Sequence, residues 1–221
     1  MILNDVIADV RDLIQDTDTN TQRYSDAMLL KFANQVLRRT AIFRPDLFSV
    51  QADLTCTAGT VVQAAPADSI RLMEVYYNTS GNGIIETTRE VLDQAYPTWM
   101  TDNAGSTINW IRNIRNPNKF FIYPKAPAAH QIVIEYAQTP PIYTGAQAVA
   151  LLPDAYFPAI VDGTVFLAES IDNEHVNSNR AALFQQSFSQ ALGISSQTRQ
   201  ILSLIHISEP TRLLSIAYAV L

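Results

Sequence analysis

The hydrophobic period of this 221-residue chain changes twice. Apolar residues recur at helical spacing near the N-terminus, alternate as in strands from about Ser49, and return to helical spacing after Asp154. A run of helices, a run of strands and a second run of helices predicts an α+β fold rather than alternating α/β. A lone helix pair buries only one face of each helix. The two terminal pairs therefore predict one bundle over residues 1–47 and 154–195. An antiparallel β region over 48–140 is inserted into it, and residues 141–153 serve as a linker.

The first helix is expected over residues 5–15, with Val6, Ile7, Val10, Leu13 and Ile14 on one stripe and Asn4 as N-cap. Residues 16–24 are polar and irregular. Ser25 then reads as the N-cap of a second helix whose inward face is Leu29, Phe32, Ala33, Val36 and Leu37. That helix stops before Pro45, because the residue before proline avoids the helical region.

About six short strands come next: SVQADLTC, TVVQAA, Ile70–Tyr77, Thr107–Ile114, Phe120–Tyr123 and Gln131–Gln138. Gly81-Asn82-Gly83 marks a hairpin-type turn, and residues 88–95 suit a short helix. In the last strand Ile132, Ile134 and Tyr136 oppose Val133 and Glu135. After Asp154, Phe157, Ile160, Val161, Val165, Phe166 and Ala168 suit a buried helix. Asp172-Asn173 reads as a turn. The last helix, Glu174–Leu192, turns Val176, Ala181, Leu183, Phe184, Phe188 and Leu192 inward, with Gly193 at the C′ position.

Residues 202–212, LSLIHISEPTR, stand apart. One back-translation of these eleven residues resembles the transposase-adapter DNA of sequencing libraries, and LLSIAYAVL is similar to index sequence plus the next adapter segment. Residues 202–221 are therefore expected to carry no evolved role, with the natural C-terminus replaced.

Composition narrows the function. One cysteine, Cys56, excludes an internal disulfide and a cysteine-based zinc site. A net charge of −6 with three lysines among fifteen basic residues leaves no basic nucleic-acid footprint. No run approaches the roughly 18 apolar residues of a membrane span, and the N-terminus lacks a basic n-region. The expectation is a protein made in the cytosol with no membrane partner.

No motif predicts catalysis, a cofactor or a metal. Asp16-Thr17-Asp18-Thr19-Asn20 opens like a calcium loop, but Thr21 and Ala27 stand where that loop needs glycine and a bidentate glutamate. Gly81-x-Gly83 lacks the third glycine of a dinucleotide site. His130 and His175 are too few for a metal centre without carboxylate partners, which sequence does not place. Cys56 reads as a small buried hydrophobe, and Asn78-Thr79-Ser80 matters only in a secreted chain. Two groups remain as candidate contact residues. Trp99 and Tyr143, like Trp110 and Tyr96, are either core or interface anchors. Arg38, Arg39 and Arg44, at the end of the second helix, either compensate that helix's C-terminal dipole on a solvated face or meet an acidic partner.

One ordered set of short motifs resembles a known family. It comprises Val10-Arg11, Leu13 and Asp16; Arg23-Tyr24-Ser25-Asp26; Leu29-Leu30, Phe32 and Asn34; and Arg44-Pro45-Asp46 with Phe48. It continues with Leu72, Tyr96-Pro97-x-Trp99, Asn116-Pro117, Phe121-Ile122-Tyr123-Pro124 and Leu151-Leu152-Pro153-Asp154. Over roughly residues 3–195 the chain resembles the head–tail adaptor (connector) proteins of tailed phages.

That resemblance implies a non-catalytic virion protein, assembled in the host cytoplasm as a ring under the portal vertex. Its partners would be the portal protein, a tail protein and further copies of itself. Genomic DNA would pass through the lumen without specific binding, which an acidic, lysine-poor chain suits. The strand region would face the tail. A tail-side binding or accessory module of the virion is the alternative, and an enzyme the least expected reading.

Overall fold

The computed structural model describes residues 1–171 and 178–194. Among them lie five helices and seven strands in an α+β fold. Helix α1 (Leu3–Ile14) and α2 (Asp26–Phe43) lead into a 3-10 turn (Pro45–Phe48). Strands β1 (Ser49–Thr55), β2 (Val62–Ala64), β3 (Ser69–Asn78) and β4 (Ile85–Thr87) precede helix α3 (Arg89–Ala95). Strands β5 (Asn109–Arg112), β6 (Lys119–Tyr123) and β7 (Gln131–Gln138) complete the middle. A 3-10 turn (Asp154–Tyr156), α4 (Phe157–Glu169) and α5 (Ser178–Ala191) close the chain's described course.

The four terminal helices share one core. Val6, Val10, Leu29, Val36, Leu37, Ile160, Val165 and Phe188 are buried together, with α4 packed on α1, α2 and α5. Helix α4 is apolar around much of its circumference because it is surrounded on three sides. Gly163 is where it comes closest to its neighbours. A Cβ there would sit 2.7 Å from Val36 Cγ1 and 3.0 Å from the Phe188 ring. The expected linker, residues 141–153, lies along this bundle: Tyr143, Val149 and Leu152 belong to the core, and Ile2 bridges Ala148.

The strands form two sheets, ordered β1-β7-β3 and β2-β6-β5-β4. Leu72, Ile132, Ile134 and Tyr136 of the first face Trp110, Phe120 and Ile122 of the second in a shared core. The second sheet turns Ile111 and Tyr123 the other way, against Leu92 and Trp99 around α3. The strand region is thus a sandwich with a helical third layer.

Several expectations need correction. Helix α1 begins at Leu3 with Ile2 at its N-cap and no capping side chain, so Asn4 is not the cap. The Asn4 amide instead donates to the Gly145 carbonyl at 2.9 Å. Leu13 and Leu183, both expected inward, are exposed: Leu13 sits at the margin of the α1 stripe, and Leu183 on the face of α5 away from Ala181, Phe188 and Leu192. Strand β4 is an addition. Its three residues pair parallel to β5, so the β region is mixed rather than wholly antiparallel. A parallel partner needs a crossover, and α3 supplies it. Val133 on β7 is buried despite lying opposite the core face, because β7 is the central strand. Ser25 does cap α2, its hydroxyl accepting from the Met28 amide at 3.3 Å, and Gly193 closes α5 at φ 67°. The Asp172-Asn173 turn, His175, Val176 and residues 202–221 lie outside the described residues.

Candidate functional site

The polar motifs of the helical ends fold inward on themselves. Arg11, buried on α1, donates from Nη1 to Asp16 Oδ2 at 3.0 Å, from Nη2 to the Tyr24 carbonyl at 2.8 Å, and from Nε to Asp26 Oδ1 at 3.0 Å. Asp16 in turn accepts from the Arg23 amide at 2.7 Å and the Tyr24 amide at 3.2 Å. The Tyr24 hydroxyl then reaches the Ala168 carbonyl on α4 at 2.8 Å. One planar guanidinium with five donors can hold this many acceptors at once. The α1–α2 loop is thereby tied to the C-terminal helices.

This network explains why the acidic DTDTN stretch is not a cation loop. Asp16 is committed to Arg11. Asp18 accepts from the Asn20 amide and the Thr21 hydroxyl, both at 3.0 Å, and these bonds hold its carboxyl below the ordinary range. Among the described residues no group of histidine, cysteine, aspartate and glutamate side chains converges on a metal position.

Arg44 makes a second tie. It forks onto Asp46, with Nη2 to Oδ2 at 2.7 Å, and donates from Nη1 to the Leu192 carbonyl at 2.9 Å. That carbonyl belongs to the open C-terminal end of α5, so the cation satisfies an orphan acceptor there. Arg44 thus caps the end of α5, 148 residues away, rather than the end of α2 where it sits.

The two aromatic candidates are interior. Trp99 is 2% exposed and donates from Nε1 to Asp93 Oδ1 at 2.7 Å, edge-on to Phe121. Tyr143 is 5% exposed in the helical core. Neither offers a ring to a partner in this structure. Trp110 is buried as well, beneath Arg112, and Tyr96 lies half exposed against Tyr123.

Arg38 and Arg39 do point outward from α2. Beside them, one helical turn on, stand Ile42 and Phe43, 67% and 54% exposed. The i, i+4 spacing stacks Arg38 on Ile42 and Arg39 on Phe43, giving the tip of α2 a mixed cationic and apolar face. The sequence carried the signal for Ile42, an apolar residue off the inward stripe of Phe32, Val36 and Leu37; Phe43 stands seven residues after Val36, on that stripe, and is exposed as the last residue of α2. A second exposed apolar set lies on the strand region. Ile85 and Ile108 adjoin through an amide–carbonyl bond of 3.0 Å, and Ile114 is 92% exposed in the β5–β6 loop.

Elsewhere the chemistry is quiet. Thr107 Oγ1 pairs with His130 Nε2 at 3.0 Å, and burial lowers that histidine's pKa. A shallow cleft beside them, lined by Asn82, Gly83, Gly105, Thr107, Ile108 and Pro124 among others, contains no titratable side chain. Cys56 is buried, its thiol pushed up to about 11 by desolvation. No described helix is long and apolar enough to cross a membrane. The profile of the SU10 adaptor protein family matches residues 1–206, and no curated protein matches the chain.

Proposed function

We propose that this chain, which belongs to the SU10 adaptor protein family of phage structural proteins, is a head–tail adaptor that joins portal to tail as a homo-oligomeric ring. The family match over residues 1–206 carries the reading. Closed rings join two different patches on each subunit, and a connector needs further surface for what lies above and below. The exposed sets on α2 and on the strand region supply candidates for both.

In this reading the helices of residues 1–47 and 154–195 form the body, with 141–153 strapped along it. Residues 48–140 are the projecting insertion. Arg38, Arg39, Ile42 and Phe43 meet the portal. The strand region, with Ile85, Ile108 and Ile114 outward, faces the tail. Buried Trp99 and Tyr143 and the capping Arg44 hold these surfaces in place rather than touching a partner. The chain acts by holding, without catalysis or cofactor, as a component of the virion. Its net charge of −6 lets a DNA duplex pass without adhering.

Cosedimentation of the purified chain with the portal protein of the same phage tests this. The expected result is one complex that holds several copies of the chain for each portal assembly. A chain that stays monomeric and sediments apart from portal at all concentrations contradicts it. Binding to a tail protein alone would favour the accessory-module alternative.

A further inference from the structure

Strand β1 leaves an open edge. It pairs with β7 in an unbroken antiparallel register from Ser49↔Ala137 to Thr55↔Gln131. Just beyond, the Cys56 amide donates to the His130 carbonyl at 2.8 Å, which fixes the phase of the ladder. Cys56, Leu54, Ala52 and Val50 therefore turn their amides and carbonyls toward β7. Gln51, Asp53 and Thr55 turn theirs away from it. Among the described residues no main-chain group meets them.

The other sheet edges are closed or short. Along β3 the Leu72 amide donates to the Pro117 carbonyl at 3.0 Å, and Arg112 donates to the Leu72 and Met73 carbonyls at 3.1 and 2.7 Å. The β3–β4 turn covers its far end, with the Ile84 amide on the Tyr76 carbonyl at 2.9 Å. Strands β2 and β4 have three residues each. Natural sheets blunt a long edge with charge, proline or a bulge; β1 has no lysine, proline or bulge, and its one charge is Asp53.

The side chains along the edge say what would cover it. On the core face Val50, Ala52 and Leu54 pack against the sandwich yet are only partly buried, so the core is unfinished there. On the outer face Asp53 and Glu135 lie near one another with Glu74 beyond. Among the described residues Arg71 is the one cation that register brings to that face. We infer that β1 accepts an extended segment of another polypeptide as an added strand. That segment carries apolar residues toward Val50, Ala52 and Leu54 and lysine or arginine toward Asp53 and Glu135. A second copy is a poor occupant. Among its described residues the only open strand of matching length is β1, which brings another Asp53 and no cation. The inference stands apart from the assignment to the portal–tail junction.

The test uses the full chain and the synthetic peptide Lys-Val-Lys-Val-Lys-Val-Lys, with a glutamate-for-lysine peptide as control. Amide hydrogen exchange is read by NMR. At saturating lysine peptide, exchange at Gln51, Asp53 and Thr55 slows at least tenfold, while Ala52 and Leu54 are unchanged. The glutamate peptide binds at least tenfold more weakly. Asp53→Pro abolishes the effect. Should that variant misfold, Asp53→Lys keeps the edge and lowers the preference for the lysine peptide at least threefold. Unchanged exchange at the three amides, or equal response to both peptides, overturns the proposal. So does protection that rises with protein concentration alone, which would assign the edge to a second copy.

Discussion

Asn34 clasps the main chain of Tyr143 from both sides. Its Nδ2 donates to the Tyr143 carbonyl at 3.0 Å and its Oδ1 accepts the Tyr143 amide at 2.8 Å, across 109 residues of sequence. The side chain mimics a strand neighbour for a segment that has none. Together with the Arg11 network and the Arg44 cap, it makes the N-terminal helices and the returning chain one unit.

Asn34→Ala is expected to destabilise the fold by about 1–3 kcal/mol for each Tyr143 group left without a partner. Urea unfolding followed by circular dichroism measures this. Asn34→Asp keeps the acceptor but turns a buried carboxylate oxygen toward the Leu30 and Tyr143 carbonyls, so its loss is at least that of alanine.

Arg11→Met removes the partner of a buried carboxylate. The loss expected is about 3–5 kcal/mol, far above the value of an exposed ion pair. Arg11→Lys recovers little, because one ammonium cannot reach Asp16, Asp26 and the Tyr24 carbonyl together. Chemical denaturation of the three proteins ranks them; equal stability of Arg11→Met and wild type would refute the role assigned to this network.

Gly163→Ala places a methyl against Val36 and Phe188 and costs about 1–3 kcal/mol by overpacking. Val36→Ala in the same chain relieves part of that cost. Thermal melts of the single and double variants form the cycle, and a purely additive result would show that the two sites are not in contact.

Much of the helical body is legible from the residues alone. The inward faces of α2 and α4 come from periodicity, because burial on one side repeats every three to four residues. The functions of Arg11 and Asn34 do not. Each acts through partners set by tertiary structure, and nothing local distinguishes Arg11, which is buried, from Arg38, which is exposed. Strand β4 escapes a sequence reading because Ile84-Ile85-Glu86-Thr87 does not alternate, and its pairing with β5 is set by tertiary structure. Residue type alone leaves Trp99 and Tyr143 between core and interface, and burial places both inside.

Cys56 carries a pH prediction. Its folded thiol titrates at about 11 instead of 9.0 because burial disfavours the thiolate. Between those values the unfolded chain has lost a proton that the folded chain retains. The contribution is therefore complete below pH 9.0 and is lost as pH rises toward 11. Against Cys56→Ala, wild type should lose stability over that window and nowhere below it. A thiol reagent at pH 8 should label Cys56 only after denaturation.

The α2 tip separates binding from folding. Arg38→Glu, Arg39→Glu, Ile42→Ser and Phe43→Ser should each change stability by no more than about 0.5 kcal/mol, since all four side chains are exposed. Portal affinity should fall by roughly tenfold or more for the most central of them, as at interface hot spots. Calorimetric unfolding and a portal-binding titration, run on the same preparations, read the two effects.

The most direct measurement is an electron cryomicroscopy map of the portal assembled with this chain. The expected map shows a closed ring of copies beneath the portal, each placing Arg38, Arg39, Ile42 and Phe43 against it and projecting its two-sheet region away. A map with bare portal, or with the chain bound singly and the strand region against the portal, would contradict it.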